Sequence, residues 1–300
     1  MECVVTRSIA ESSPSTLVVL LHGFLGDRRD LQRLHDSFTR AGLGCLSVDL
    51  PGHGDSAWLG GNVHDALRSL LATLGASCPA PSQLVLIGYS MGGRLALQLA
   101  AQSPWRVAAV IVLSGSPGIA NERARQERLA RDTQLASRLR TMTSVEFAAW
   151  LREEWYRAKI WGALSEHERF ELMLARRTEG ARPSDRAASL EQESVGRQPS
   201  LLQWLEAPPM PVLFLAGAAD PAYSRFAREL GAAALADEQS ERRDESRDCG
   251  DESRDCGGES RDCGEVSASK GRTAQGVVID GAGHAVLTEA PLQVEKHRLA

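Results

Sequence analysis

The chain has 300 residues, of which 43% are hydrophobic and 24% charged, and its formal net charge is −5. This composition is that of a globular protein with a sizeable core, and it lacks the excess of basic residues that nucleic-acid or membrane-surface binding would need. No apolar run reaches the roughly 18 residues that span a bilayer. The N-terminus lacks the basic region and apolar stretch of a secretory signal, so we expect an intracellular protein, cytoplasmic or, in a photosynthetic eukaryote, plastid.

Short apolar runs alternate with helical patterns in the first two-fifths of the chain. The pattern predicts strands at Thr16–His22, Gly44–Asp49, Gln83–Tyr89 and Val107–Ser114, and helices at Leu31–Ala41, Val63–Leu74 and Gly92–Ser103. Strands that alternate with helices indicate βαβ units and a mostly parallel, twisted sheet. Right-handed crossovers place the helices on both faces of such a sheet.

The pattern changes at about Pro117. Residues 118–205 are helical in pattern, rich in arginine and free of strand-like runs, which predicts a helical cap over the sheet. The sheet then resumes with a strand at Pro211–Gly217, a helix from Ser224 to about Ala236, a strand at Gly276–Asp280 and a final helix from Pro291. Residues 1–117 and 206–300 would therefore form the core.

A short repeat interrupts the second part of the core. The sequence Glu-Ser-Arg-Asp-Cys-Gly begins at Glu245, Glu252 and Glu259. Its period of seven is too short for a solenoid and it offers no apolar face, so residues 237–275 are predicted to form a disordered, low-complexity insertion. A cysteine-based metal or redox tract is the alternative. The cysteine spacing resembles neither a zinc site nor a disulfide framework, and we expect no metal or cofactor.

A nucleophile motif follows the third predicted strand. Gly88-Tyr89-Ser90-Met91-Gly92 matches G-x-S-x-G between a strand and a helix. This motif places a serine on a sharp, strained turn at a helix N-terminus, where it is exposed and where the helix dipole favours negative charge. A chance glycine–serine turn is the alternative.

An acid and a histidine follow the last two strands in the order that this type of fold requires. Asp220 comes after the strand that ends at Gly217, and His284 comes after the strand that ends at Asp280. The acid would hold the histidine in the tautomer that accepts the serine proton. The alternatives are a turn aspartate before Pro221 and a surface-loop histidine, and Asp280 is a weaker candidate for the acid.

The first strand ends at His22-Gly23-Phe24. A loop at this place gives one N–H of an oxyanion hole, and the residue after the nucleophile gives the other. The sequence therefore predicts Phe24 and Met91 as the two donors, although His22-Gly23 could also be only a tight turn.

Three segments carry a resemblance to known proteins: Leu21–Asp27 (LHGFLGD), Val48–Ser56 (VDLPGHGDS) and Gly88–Arg94 (GYSMGGR). They resemble the signatures of α/β hydrolases, and together they look like the 2-succinyl-6-hydroxy-2,4-cyclohexadiene-1-carboxylate synthases of menaquinone and phylloquinone biosynthesis. The cap adds similar features at Ser116–Ile119, Arg128 and Trp155-Tyr156.

The resemblance implies an α/β-hydrolase fold and a lyase that eliminates pyruvate from a succinyl-enolpyruvyl-cyclohexene-carboxylate intermediate. Ser90, activated by His284, would then abstract a proton, and it would not be acylated. The implied substrate-binding residues are Tyr89, Arg94, Arg128, Trp155, Tyr156 and Arg176. Arginines suit a substrate with several carboxylates, although a solvated helix face and ordinary helix packing remain alternatives for the cap residues.

The sequence departs from that family at Lys159-Ile160-Trp161 and in the repeat. The resemblance implies a small polycarboxylate substrate, no nucleic-acid or membrane partner, and an activity that also occurs as one module of a larger pathway protein. Two other functions stay open because the fold and triad do not fix the substrate. One is a serine hydrolase, such as an esterase, thioesterase or carbon–carbon hydrolase, and the other is a binding protein on an inactive scaffold.

Overall fold

The computed structural model describes residues 3–8, 16–58, 60–77, 83–103, 105–232 and 274–296. Within these residues lies a seven-stranded sheet of order β1-β3-β2-β4-β5-β6-β7. The strands are β1 (Val5–Ser8), β2 (Thr16–Leu21), β3 (Gly44–Val48), β4 (Gln83–Tyr89), β5 (Val107–Leu113), β6 (Val212–Gly217) and β7 (Ala274–Ile279). All neighbouring strands are parallel except β1, which pairs antiparallel with the edge of β3.

The helices connect these strands. They are α1 (Gln32–Arg40), α2 (Val63–Ser77), α3 (Met91–Gln102), α4 (Glu122–Arg140), α5 (Ser144–Glu153), α6 (Phe170–Thr178), α7 (Pro183–Gln192), α8 (221–232), α9 (Val286–Glu289) and α10 (Pro291–Lys296). Single turns of 3-10 helix lie at Arg28–Leu31, Trp155–Arg157, Lys159–Trp161, Leu164–Glu166 and Trp204–Glu206. None of the helices in the described segments is long and apolar enough to cross a membrane.

The sheet is covered on both faces, as the uninterrupted apolar strands predict. On β2, Leu17 and Val19 pack in one cluster with apolar residues of α2 and α3, such as Leu70 and Leu95. Val18, between them, belongs to the cluster on the other face with side chains of α1 and α10. Successive strand residues point to opposite faces, so both clusters draw on the same short run. The predicted α/β-hydrolase architecture is confirmed.

Two details of the core differ from the prediction. Strand β1 is not predicted from the sequence, because its four residues lie at a sheet edge, are not fully buried and carry no distinct apolar pattern. The last strand begins at Ala274, so two residues assigned to the low-complexity insertion belong to the sheet. The rest of that insertion, with its repeat, lies outside the described residues.

The helices between β5 and β6 build their own apolar cluster above the sheet, around Phe147, Trp150 and Leu164. The described residues from 118 to 205 contain no strand. We retain these residues as the proposed cap. Parallel strands end at one edge of the sheet, and β4, β6 and β7 bring the loops with Ser90, Asp220 and His284 to that edge beneath the cap.

Candidate active site

The turn at Ser90 is strained, as the motif predicts. Ser90 has φ 51° and ψ −108° and directly precedes the first residue of α3. A Cβ on Gly88 would lie 2.2 Å from the Gly92 carbonyl oxygen, and one on Gly92 would lie 2.2 Å from the Leu21 carbonyl oxygen. The flanking glycines are therefore required by the close approach of strand and helix. A serine held in this conformation persists only because the surrounding structure fixes it.

The serine, histidine and aspartate form a continuous hydrogen-bonded set. His284 Nδ1 lies 2.6 Å from Asp220 Oδ2, and His284 Nε2 lies 3.0 Å from Ser90 Oγ. Asp220 is fully buried and His284 almost so. With the Nδ1–H donating to the carboxylate, Nε2 is free to accept the Ser90 proton. The geometry supports a catalytic centre and counts against a binding protein on an inactive scaffold.

Three rings and one cap contact hold His284 in place. Its ring centroid lies 5.0 Å from that of Trp161, 5.2 Å from that of Tyr223 and 5.5 Å from that of Tyr89. Its backbone N–H donates to the carbonyl oxygen of Ile160 at 3.3 Å. The segment that departs from the family pattern, Lys159–Trp161, therefore lies directly against His284 and helps to shape the candidate site.

Two backbone donors flank the nucleophile at the positions predicted for an oxyanion hole. Phe24 and Met91 line the cavity that contains Ser90. Their N–H groups donate to no acceptor among the described residues. Buried N–H groups are rarely left without a partner, and a pair of them beside a nucleophile is suited to a developing oxyanion.

Two buried histidines, which the sequence analysis did not select as functional, hold the loop that carries Phe24. His22 Nε2 accepts the Leu50 N–H at 3.0 Å, and His53 Nε2 accepts the Leu25 N–H at 3.2 Å. Both side chains are fully buried. A signal was available, because His22 ends one predicted strand and His53 lies in the loop after the next one, at the same sheet edge, and each stands beside a glycine.

The cavity above Ser90 has a volume of about 340 Å³ and contains several of the predicted substrate-binding residues, namely Tyr89, Arg94, Arg128 and Trp155. Arg94 donates to the side-chain oxygen of Gln198 at 2.8 Å and to the carbonyl oxygen of Glu193 at 3.2 Å, but to no carboxylate of the residues that the structure describes. Burial, and then the nearby Arg128, lower the pKa of Arg94 to about 10. Arg128 pairs with Asp132 at 2.9 Å.

A second cavity of about 440 Å³ adjoins the first, and it contains the other two predicted residues, Tyr156 and Arg176. Phe24, Tyr89 and Trp161 line both cavities, so the two cavities adjoin at these residues. Tyr156 and Arg176 line the second cavity and do not line the cavity above Ser90.

Arg177, which the sequence analysis missed, is the buried arginine of this second cavity. It pairs with Asp30 at 2.7 Å and donates to the Tyr156 hydroxyl at 3.3 Å. Burial disfavours the charged form of Arg177, but the charge and hydrogen bond of Asp30, together with Tyr156, outweigh that effect and raise the pKa of Arg177. This ion pair joins the cap to the loop after β2. No feature of the sequence separates Arg177 from its neighbour Arg176, because only the packing decides which of the two is buried.

Glu193 is a buried acid of the Ser90 cavity that the sequence analysis also missed. Its Oε2 accepts the Ser189 hydroxyl at 2.8 Å, whereas Oε1 has no hydrogen-bond partner within the described part of the chain. Burial raises the pKa of Glu193 to about 7, against the opposing effects of the Ser189 hydrogen bond and the Arg94 charge.

Folding stability should fall as the pH is lowered from 7 to 5. Burial lowers the pKa of His22 and of His53 below the usual 6.5, so below that pH the unfolded chain binds protons that the folded chain excludes. Each such histidine costs about 1.4 kcal/mol per pH unit. Glu193 has the opposite effect on stability, because between about pH 4.5 and 7 its carboxylate binds one proton in the folded chain that it does not bind in the unfolded chain.

Urea unfolding between pH 7 and 5 measures this slope. His53→Gln should make the slope shallower, and the exposed His64→Gln should leave it unchanged. An unaltered slope in His53→Gln would show that His53 is not held neutral in the folded chain.

No group of three or more histidine, cysteine, aspartate or glutamate residues that could hold a metal ion occurs among the described residues.

Comparison with known proteins places this geometry in context. The model of the alpha/beta hydrolase family matches residues 18–296. The chain is 36% identical over 217 residues to a 2-succinyl-6-hydroxy-2,4-cyclohexadiene-1-carboxylate synthase of Escherichia coli O1:K1, which covers 72% of this chain and 82% of that protein. The synthase of Salmonella paratyphi A is 35% identical with the same coverage.

Solved structures show the same fold. MenH from S. aureus superposes with a TM-score of 0.75 at 23% identity, covering 97% of this chain and 95% of the other. A thermophilic esterase from Thermogutta terrifontis superposes with a TM-score of 0.66 at 20% identity, covering 98% and 90%. The family match over nearly the whole chain and the relatives above 30% identity lead to one conclusion: the chain belongs to the alpha/beta hydrolase family.

Proposed function

We propose that the chain is a 2-succinyl-6-hydroxy-2,4-cyclohexadiene-1-carboxylate synthase, a lyase that eliminates pyruvate from the succinyl-enolpyruvyl-cyclohexene-carboxylate precursor. The observation that carries this proposal is a pair of half-buried guanidinium groups without a carboxylate partner among the described residues. Arg94 lies in the cavity above Ser90, and Arg176 lies in the cavity next to it. The related synthases support the same activity.

These two arginines differ from most others around them. Four other arginines that line these cavities each form an ion pair with a carboxylate: Arg29 with Asp27, Arg33 with Glu295, Arg128 with Asp132 and Arg177 with Asp30. A partly buried cation without a counter-ion is costly unless a ligand supplies the charge. The planar guanidinium is suited to bidentate contact with a carboxylate. Arg94 and Arg176 therefore favour a substrate with at least two separated carboxylates.

The triad supplies the base for the elimination. His284 takes the Ser90 hydroxyl proton, and Ser90 in turn removes the proton on the ring carbon next to the succinyl carbonyl. The electron pair of that C–H bond forms a new ring double bond. The existing ring double bond shifts by one carbon towards the carbon that bears the enolpyruvyl group, and the bond from that carbon to the enolpyruvyl oxygen breaks, which leaves two conjugated ring double bonds. The departing enolate takes up a proton on its methylene carbon and becomes pyruvate. Negative charge on the succinyl carbonyl oxygen develops between the Phe24 and Met91 N–H groups, each of which can contribute about 3 kcal/mol.

A serine hydrolase remains the second candidate, since the same triad serves both reactions. The observation that favours it is the apolar part of the Ser90 cavity, which Leu135, Trp155 and Ile160 line. Such a surface would suit the acyl chain of an ester. The two functions are separated by the substrate: charged and multiply carboxylated for the lyase, or neutral and apolar for the esterase.

A direct comparison of substrates tests the proposal. Purified protein is given the succinyl-enolpyruvyl-cyclohexene-carboxylate precursor in one assay and a p-nitrophenyl ester in the other. We expect pyruvate release with a kcat/KM far above that for the ester. Ester cleavage without pyruvate release would refute the lyase and favour the hydrolase.

The two arginines give a more specific prediction. Arg94→Gln and Arg176→Gln should each lower kcat/KM for the precursor by about 10- to 100-fold, since a charge-assisted hydrogen bond contributes roughly 1.5–3 kcal/mol. Cleavage of the neutral ester should change little. Arg157→Gln, an exposed cap arginine that lines neither cavity, is the matched control and should behave as the wild type. Equal losses on both substrates would mean that the arginines act on folding and not on carboxylate binding.

A further inference from the structure

The loop after β2 holds a residue in a conformation that its side chain disfavours. Leu25 has φ 68°, in the left-handed region, although its side chain is almost fully buried. An L-residue with a large side chain adopts this region only where surrounding contacts impose it. Gly23, two residues before Leu25, cannot carry a side chain, because a Cβ there would lie 2.7 Å from the Tyr89 ring.

Two successive peptide groups of this loop are each fixed by a histidine. The carbonyl oxygen of Gly23 accepts the His22 Nδ1–H at 2.8 Å and the Gly26 N–H at 3.0 Å. This fixes the Gly23–Phe24 peptide, whose N–H is the oxyanion donor and points away from that carbonyl. In the next peptide, the Leu25 N–H donates to His53 Nε2 at 3.2 Å.

The tautomer and charge of His53 suit this role. Its Nδ1 lies 3.1 Å from the carbonyl oxygen of Pro51, so Nδ1 carries the hydrogen and Nε2 is the acceptor. Its pKa is well below the ordinary value because of burial and because Arg186, His22 and Arg177 disfavour a positive charge. His53 therefore stays neutral, and the ring also packs edge-on to Phe24 with centroids 5.7 Å apart.

The loop that carries His53 is itself tied to the cap. Arg186 donates to the carbonyl oxygen of Gly52, and Arg182 donates to the carbonyl oxygen of Gly54 at 3.2 Å. The residues on either side of His53 are therefore hydrogen-bonded to the cap, which fixes the position of His53 beside Leu25.

We propose that His53 is a positioning residue of the oxyanion hole, since it holds the Leu25 N–H and thereby keeps the neighbouring Phe24 N–H aimed at the substrate oxygen. The inference rests on the proposed function for its kinetic test, but the geometric claim concerns only the oxyanion hole and applies equally to ester hydrolysis. The role needs an acceptor atom at the position of Nε2; it does not need a group that exchanges protons.

Two substitutions at this position separate the acceptor from the ring. His53→Phe keeps a buried ring but removes the acceptor, and we expect kcat to fall by about 10- to 100-fold with KM within about twofold of the wild type, because a displaced oxyanion donor acts mainly in the transition state. His53→Gln places an amide oxygen near the Nε2 position and should restore most of kcat. The exposed His64→Gln is the control and should retain the wild-type kcat.

Amide hydrogen exchange at Leu25 gives a readout that needs no substrate. It should be faster in His53→Phe than in the wild type and close to the wild type in His53→Gln. The proposal is overturned if His53→Phe keeps its kcat, if the loss lies only in KM, if His53→Gln is as slow as His53→Phe, or if Leu25 exchange is unchanged. Absence of pyruvate release in the wild type would instead refute the lyase, and the exchange measurement would still test His53.

Discussion

Ser90→Ala should lower kcat for pyruvate release by at least about 10³-fold, since loss of the nucleophile or its base removes most of the catalysis that a triad provides. Ser90 Oγ is the only atom of the chain in hydrogen-bond contact with His284 Nε2 among the described residues. Alanine removes this hydroxyl without adding bulk at a strained turn. We expect KM to change little, because the arginines and the oxyanion donors remain.

The control for this substitution is Ser137→Ala, on an exposed face of α4. It should retain full activity, and both variants should unfold at the same urea concentration as the wild type. Pyruvate release that survives in Ser90→Ala would assign the proton abstraction to another group, with His284 itself as the first candidate.

Asp220→Asn should lower kcat by about 10²- to 10⁴-fold while the fold is retained. Asp220 is fully buried and accepts the His284 Nδ1–H at 2.6 Å. An amide of the same shape can donate a hydrogen to Nδ1 and so favour the tautomer in which Nε2 carries the hydrogen. In that tautomer the histidine cannot accept the Ser90 proton, so the base is lost without any change in packing.

Asp280→Asn is the matched control, because Asp280 was the other candidate for the acid in the sequence. In the structure it is exposed at the end of β7 and has no contact with His284. It should keep the wild-type kcat. If Asp280→Asn lowered kcat as much as Asp220→Asn, the assignment of Asp220 as the acid of the triad would be wrong.

The fold and the triad could be predicted because both depend on local patterns in a fixed order. Buried parallel strands appear as continuous apolar runs, as in β5, and Ser90, Asp220 and His284 each follow a strand that the sequence predicts. The parallel topology then brings the three loops to one edge. The edge strand β1 was missed because its residues are only partly buried and show no such run.

The substrate-binding part of the site was less predictable, because it depends on contacts between residues far apart in the chain. Arg176 and Arg177 are neighbours in sequence, yet one lines a cavity without a counter-ion and the other is buried against Asp30. The hydrogen bond from the Leu25 N–H to His53, which holds the loop that carries Phe24, could not be predicted for the same reason. His53 and Leu25 are 28 positions apart, and only the pairing of β2 with β3 brings them together.

The mass of the products formed from the precursor tests the central claim most directly. Elimination divides the precursor into pyruvate and 2-succinyl-6-hydroxy-2,4-cyclohexadiene-1-carboxylate, whose masses add up to that of the precursor. We predict these two products in equal amounts with wild-type protein and neither with Ser90→Ala. Products whose masses add up to the precursor plus one water molecule, or an acyl adduct on Ser90, would contradict the account and identify the chain as a hydrolase.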